Sequence, residues 1–142
     1  MMSHGILISE AVTLAMHSMA VIASREGLSS AHDISSMLGV SEFHLAKVLQ
    51  RLAKNGLLKS SRGPQGGFTL GRKSDAVTLL DVYEAIEGPL KNNACLMRRK
   101  TCNKKSCILG NSISSMWSIF RKHLDSTKIS DIAVMFQQEE SR

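Results

Sequence analysis

Aromatic side chains are scarce: one Trp, one Tyr and four Phe make up 4% of the 142 residues, although 43% of the chain is hydrophobic. Any core must then be filled by Leu, Ile, Val, Ala and Met, the stock of packed helices, so a mainly helical protein is expected. No run of about 18 uncharged apolar residues occurs, which excludes a membrane-spanning helix and leaves no membrane partner to expect. Met1 to Ile8 lack a basic flank leading into an apolar stretch, so the expectation is a cytoplasmic protein. Cysteine is sparse and odd in number, at three, which argues against a disulfide framework and for reduced thiols. Also missing are a convergent nucleophile, base and oxyanion donor, and a phosphate-binding glycine loop, so the chain is not expected to be an enzyme. Acidic residues are in deficit, 12 against 18 basic ones, giving a net charge of +6. That excess would attract a polyanion, nucleic acid being the commonest, but is modest enough to fit proteins that bind none.

What is present is helical periodicity broken at regular intervals. From Glu10 to Ala23, apolar Ala11, Leu14, Ala15, Met19 and Ile22 recur at three and four, and Gly27 closes the stretch. Ala31 to Leu38 forms a short second helix that stops at Gly39. Ser41 can cap a third, whose inward Leu45, Val48, Leu49 and Leu52 alternate with outward Glu42, His44, Lys47, Gln50, Arg51 and Lys54, and Asn55-Gly56 gives it a left-handed stop. Two helices joined through Gly39-Val40-Ser41, the second with a polar outer face, make a helix-turn-helix. Two strand-like runs follow, Leu57 to Ser60 and Gly67 to Leu70, around a glycine-rich tip; a hairpin placed there is the wing of a winged helix.

Thr78 can cap a fourth helix, Leu79 to Ile86, ended by Gly88-Pro89. Beyond it lies a basic loop with all three cysteines. A long stripe through Ile108, Ile113, Met116, Trp117, Phe120 and Leu124 comes next, and a shorter one through Ile129, Ile132, Ala133 and Phe136. The expected architecture is mainly α with a small β-hairpin wing: a winged helix-turn-helix over 1–75, then a cysteine loop and long dimerisation helix over 76–142, continuous with it. The Trp117 stripe has no evident partner in the first part, so it is expected to pack on a second copy of the chain. Such a homodimer would present two recognition helices to two half-sites of a palindromic double-stranded DNA operator.

Cys95, Cys102 and Cys107 are separated by six and four residues. Zinc sites usually pair cysteines more closely, whereas an iron–sulfur cluster is larger than one ion and takes thiolates from different directions. Arg98, Arg99, Lys100, Lys104 and Lys105 surround the thiols. Three roles are open to them: lowering thiol pKa and offsetting cluster charge, extending a DNA-facing patch, or forming a solvated loop.

Three blocks together resemble the Rrf2 family of bacterial transcription regulators: the helix-turn-helix from Asp33-Ile34 to Leu52, the wing Arg62-Gly63-Pro64-Gln65-Gly66-Gly67-Phe68, and the cysteine loop with the helix behind it. The resemblance covers nearly the whole chain. It implies that Ser41, Phe43, His44 and Lys47 lie at or beside the major groove, and that Arg62 and Gln65 reach the minor groove or backbone. The donors those side chains offer suit phosphates and base edges, although a polar helix face can also be merely solvated. Gly63, Gly66 and Gly67 are expected to take positive backbone angles and let the tip approach the duplex; an ordinary turn is the alternative.

The resemblance also implies an iron–sulfur cluster, 4Fe-4S or 2Fe-2S, on Cys95, Cys102 and Cys107, sensing redox state, nitric oxide or iron supply. The middle cysteine is displaced by one from the pattern of iron–sulfur members, and Gly110 stands where they place a histidine ligand. The fourth ligand is then expected from the first helix of the partner subunit. His17 is the first candidate, since Leu14-Ala15-Met16 before it resembles the segment carrying a cluster-binding histidine in a two-iron member; Glu10 is weaker, and His4 and His123 weaker still. A lone histidine on an apolar helix is also often a plain core residue. The competing expectation is a cluster-free regulator of the same fold, controlled by a partner protein or thiol oxidation.

Overall fold

A computed structural model describes residues 8–91, 108–109 and 111–140. The cysteine loop, Gly110 and His4 lie outside the described residues. The element order is α1 (Glu10–Ser24), α2 (Ala31–Leu38), α3 (Glu42–Lys54), β1 (Leu58–Ser61), β2 (Gly67–Leu70), a 3-10 turn (Ser74–Ala76), α4 (Leu79–Glu87), α5 (Ser112–Ser126) and α6 (Ile129–Glu140).

Helix starts follow side-chain chemistry. Ser9, Ser30, Ser41 and Thr78 each sit in extended backbone and accept a hydrogen bond from an amide of the first turn, satisfying donors that have no partner within the helix. At α4 the cap is reciprocal, with the Asp81 carboxylate accepting from the Thr78 amide at 3.0 Å. Helix ends follow backbone chemistry: Gly39 turns out of α2 at φ +65°. The first helix ends at Ser24, not at Gly27, because Arg25 is already extended.

The central element is α1, which packs on α3, α4, α6 and the wing. Met19, Ile34, Leu45, Leu49, Leu52, Val77, Val82, Leu124 and Ile129 are all fully buried and belong to one cluster, so residues on both sides of position 75 share a core. The expected aliphatic core is what the chain builds.

The wing is an antiparallel pair in register Leu58↔Leu70 to Ser61↔Gly67. A third backbone strand position comes from the α1–α2 link, where Ser29 and Phe68 exchange both amide bonds at 3.0 and 2.8 Å. The link between α5 and α6 is fastened in the same way, Leu79 amide to Thr127 carbonyl and Ile129 amide to Val77 carbonyl, both 2.9 Å.

The long stripe is only partly an intermolecular face. Phe120 meets Tyr83 edge-on at 6.1 Å between centroids, Trp117 meets Phe120 at 6.3 Å, and Leu124 and Ile113 are buried within the chain. The expectation that the whole stripe awaits another copy is corrected: α4 supplies a partner for that side. What stays exposed on α5 is Met116 and Ile119, and on α6 Val134 and Met135.

Candidate nucleic-acid interface

The cap at Ser41 fixes where α3 begins and hence which side chains its polar face presents. Ser41 Oγ accepts from the His44 amide at 3.4 Å. Across the tight turn, His32 at the start of α2 lies 3.1 Å from the Glu42 carboxylate, both exposed, so an imidazole is placed beside the one carboxylate of this face. Phe43 is 74% exposed, and the Lys47 ammonium sits 4.5 Å above its ring centroid. His44, Lys47 and Gln50 are exposed along the same helix.

At the wing, Arg62, Gly63, Pro64 and Gln65 form an exposed tip. Of the three tip glycines expected at positive backbone angles, Gly63 alone has one, at φ +109°. Gly66 and Gly67 are needed for a different reason. A Cβ on Gly66 would lie 2.3 Å from the Ser61 carbonyl oxygen, and one on Gly67 would lie 2.6 Å from that of Ser29. Their bareness lets the strands and the α1–α2 link close on one another.

Helix and wing open on one cleft of about 300 Å³, lined by Ser30, Ala31, Gln50, Ser60, Ser61 and Arg62 among others. The N-terminal end of α2 faces it, adding amide dipoles of positive sense. The structure therefore brings Arg62, Gly63 and Gly66 together with Gln50 and Ser30. Phe43, His44 and Lys47 lie on the adjoining turns of α3. Gln50 was read only as an outward residue; its place one turn beyond Lys47 is the signal that would have found it.

Sequence reasoning also passed over the far end of α3. The Arg51 guanidinium donates to the Ile86 carbonyl at 2.6 Å, and the Asn55 amide group to the Ala85 carbonyl at 3.4 Å. A few residues on, Leu90 is held twice: its amide donates to Glu84 at 3.3 Å and its carbonyl accepts from Arg121 at 3.2 Å. The recognition helix is thus bonded to the end of α4, from which the chain leads towards the cysteines.

Of the cluster candidates, all three cysteines lie outside the described residues. Among the described residues, no group of three His, Cys, Asp or Glu side chains gathers as for a metal ion. His17 is exposed on α1, with Nδ1 2.7 Å from the Thr13 carbonyl oxygen. A carbonyl only accepts, so Nδ1 is the donor of this bond, which leaves Nε2 as the ring nitrogen directed away from the helix's own backbone. His17 borders an apolar cleft of about 380 Å³ with Met16, Ile132, Met135 and Phe136. Glu10, exposed, lies two turns earlier on the helix; His123 is exposed near the end of α5. Tyr83 is the one titratable group clearly shifted among the described residues: burial, then the Glu87 charge, raises its hydroxyl above its ordinary value.

A cleft flanked by a capped recognition helix and a wing is the geometry of a DNA reader, and the profile of the Rrf2 family, described as an iron-dependent transcriptional regulator, matches residues 8–134. The chain belongs to the Rrf2 family. The Bacillus subtilis regulator CymR is 31% identical over 108 residues, 76% of this chain and 74% of that one. Its solved structure, described as that of the global cysteine regulator, has a TM-score of 0.76 at 26% identity, covering 92% of this chain and 98% of that one. The HTH-type regulator IscR of Erwinia tasmaniensis is 39% identical over 72 residues, 51% of this chain and 44% of that one. The IscR structure from T. potens has a TM-score of 0.67 at 25% identity, covering 97% and 92%. The Rrf2 chain is accordingly a transcriptional regulator with the winged-helix fold of these neighbours. No described helix is long and apolar enough to cross a membrane.

Proposed function

We propose that this Rrf2 regulator is a cytoplasmic homodimeric repressor, without enzymatic activity, that reads a palindromic operator in double-stranded DNA and holds an iron–sulfur cluster on Cys95, Cys102 and Cys107. The observation that carries the DNA half is the cleft shared by α3 and the wing. Phosphate oxygens meet Arg62, Ser30 and the α2 amide end there, while Phe43, His44, Lys47 and Gln50 enter the major groove and Gln65 touches the backbone beside the wing. Two such readers require a dimer, and the apolar Met116, Ile119, Val134 and Met135 are the surface available to build it.

The sensor half rests on the three thiols within thirteen residues and on the poised imidazole of α1. His17 of the partner subunit completes the ligand set in this reading, with Glu10 the weaker alternative. The donor set fits a cluster: soft thiolates with one borderline nitrogen, Nε2 of a ring whose Nδ1 is engaged by the Thr13 carbonyl. When bound, the cluster supplies a centre of either four or two irons that responds to redox state, nitric oxide or iron supply. The chain's own residues provide the connection to DNA. Leu90, held by Glu84 and Arg121, and Ile86, held by Arg51, tie the start of the cysteine segment to the recognition helix. A coupling of ~1–3 kcal/mol, about 5- to 150-fold in operator affinity, is the expected size of the switch.

Anaerobic purification tests the sensor half. A brown protein with charge-transfer absorption, iron and sulfide is expected, all lost in Cys102→Ala with the fold retained, and a shifted spectrum in His17→Ala. A colourless protein that takes up no iron or sulfide on reconstitution would move the reading to a cluster-free regulator governed by thiol oxidation or a partner protein. Selection from random DNA tests the reader: a two-fold symmetric site is expected, with binding that weakens steeply as salt rises.

A further inference from the structure

We infer that Phe43 is a specificity-determining residue, one that reads the 5-methyl group of a thymine in each operator half-site; the inference rests on the DNA-reading function proposed above. Phe43 is the one exposed aromatic side chain among the described residues, 74% open on a face otherwise made of Glu42, His44, Lys47 and Gln50. Leaving a phenyl ring in water forgoes the burial free energy that the other aromatic side chains of this chain collect in full or in part. The core has no use for this one, since inward positions are taken by Leu45, Val48, Leu49 and Leu52.

The ring is also held. It lies in the first turn of α3 just after the Ser41 cap, and Lys47, one turn on, puts its ammonium 4.5 Å over the ring. One aromatic face is covered by a cation, and the rest points outward near the N-terminal end of the helix, the part of a recognition helix that meets base edges. A phenyl ring offers no hydrogen-bond donor or acceptor in its plane. Of the four base pairs, the only apolar group shown in the major groove is the C5 methyl of thymine. Charge and apolar surface therefore divide the labour: Lys47 offers a donor to phosphate or to a base acceptor, and Phe43 recognises the one group a donor cannot.

The size of the effect follows from burying one methyl: about fourfold in affinity per half-site, about fifteenfold for both. The test uses the full-length dimer and the symmetric site recovered by selection. Each thymine is replaced in turn by deoxyuracil, which keeps every hydrogen-bonding group and removes only the methyl. The expected result is one thymine per half-site at which the change weakens binding about fourfold. Phe43→Ala should lose that sensitivity, and Phe43→Leu, which keeps an apolar tip, should retain most of it. Thermal unfolding of both variants should match the parent, since the residue is outside the core. Restoring a methyl at that position with a 5-methylcytosine–guanine pair should recover part of the loss relative to unmethylated cytosine. If a selected site exists but no thymine is methyl-sensitive, or if Phe43→Ala keeps the same sensitive thymine, the inference is overturned while the DNA reader stands. If selection recovers no site at all, the reader itself fails and this inference with it.

Discussion

The two exposed faces of the molecule are built from opposite materials. On α2, α3 and the wing, the exposed side chains include His44, Lys47, Gln50, Arg62 and Gln65, with Phe43 and, less fully, Met37 as large apolar exceptions. Along α5 and α6 the exposed set includes Met116, Ile119, Val134 and Met135. Both faces sit on one core, so their difference is not one of stability. Polar donors around a cleft suit a polyanion whose charges remain partly hydrated, and a flexible apolar strip suits another protein surface that excludes water. The sequence periodicity of α5 did not separate that strip from the aromatic side of the same helix, which α4 covers.

The largest break in this contrast should come from charging the apolar face. Ile119→Glu, at a position 71% exposed, should leave the monomer fold intact while dissociating the dimer in sedimentation or light scattering. Operator affinity should then fall by about two orders of magnitude or more, because the second half-site is no longer tethered to the first. A dimer of undiminished affinity would mean that the apolar strip has some other use.

Next in size is the link between the faces. Cluster-loaded and cluster-free protein should differ about 5- to 150-fold in operator affinity. Arg51→Ala removes the 2.6 Å bond from the recognition helix to the Ile86 carbonyl and should bring that ratio close to one, measured by fluorescence anisotropy on the two forms. Arg51 is exposed, so the stability loss should be small, about 1 kcal/mol or less. A ratio that survives the substitution would place the connection elsewhere.

Most of the reader was legible in sequence because its boundaries are written locally. Ser41 before α3, Thr78 before α4, and glycine or Asn-Gly after α2 and α3 set those ends by cap and turn chemistry that needs no tertiary context; the Ser30 cap of α2 was passed over as a polar link. What escaped depends on pairings distant in the chain. Ser29 and Phe68 form a bridge that no local pattern announces, and it is this bridge that explains Gly67. Arg51 reads as one more solvated cation until α4 brings a carbonyl within reach. The aromatic side of α5 looked unpartnered because Tyr83, its neighbour, comes from α4, well earlier in the chain, and no local pattern links the two. The cysteines were read as candidate ligands from spacing and resemblance alone, and they lie outside the described residues.

The wing offers a third test. Gly67→Ala drives a methyl to 2.6 Å from the Ser29 carbonyl oxygen and should cost about 2 kcal/mol in thermal or denaturant unfolding. Gly63→Ala has open space but a backbone angle of +109°, and should cost about 1 kcal/mol through strain alone. Equal costs would remove the distinction drawn between packing and conformational glycines.

The smallest effect is the most discriminating for the DNA face. Ser41 Oγ accepts from the His44 amide, which leaves its own hydroxyl proton free to donate to a phosphate. The two roles separate by substitution, since glycine is nearly as good a helix cap as serine whereas alanine costs about 1 kcal/mol. Ser41→Gly should therefore unfold within a few tenths of a kcal/mol of the parent yet bind about fivefold more weakly per half-site, the worth of one hydrogen bond of ~1 kcal/mol. Ser41→Ala should show the same loss of binding with the added loss of stability. Undiminished binding by the glycine variant would assign Ser41 to the helix alone and confine the polar contacts to His44, Lys47, Gln50 and the wing.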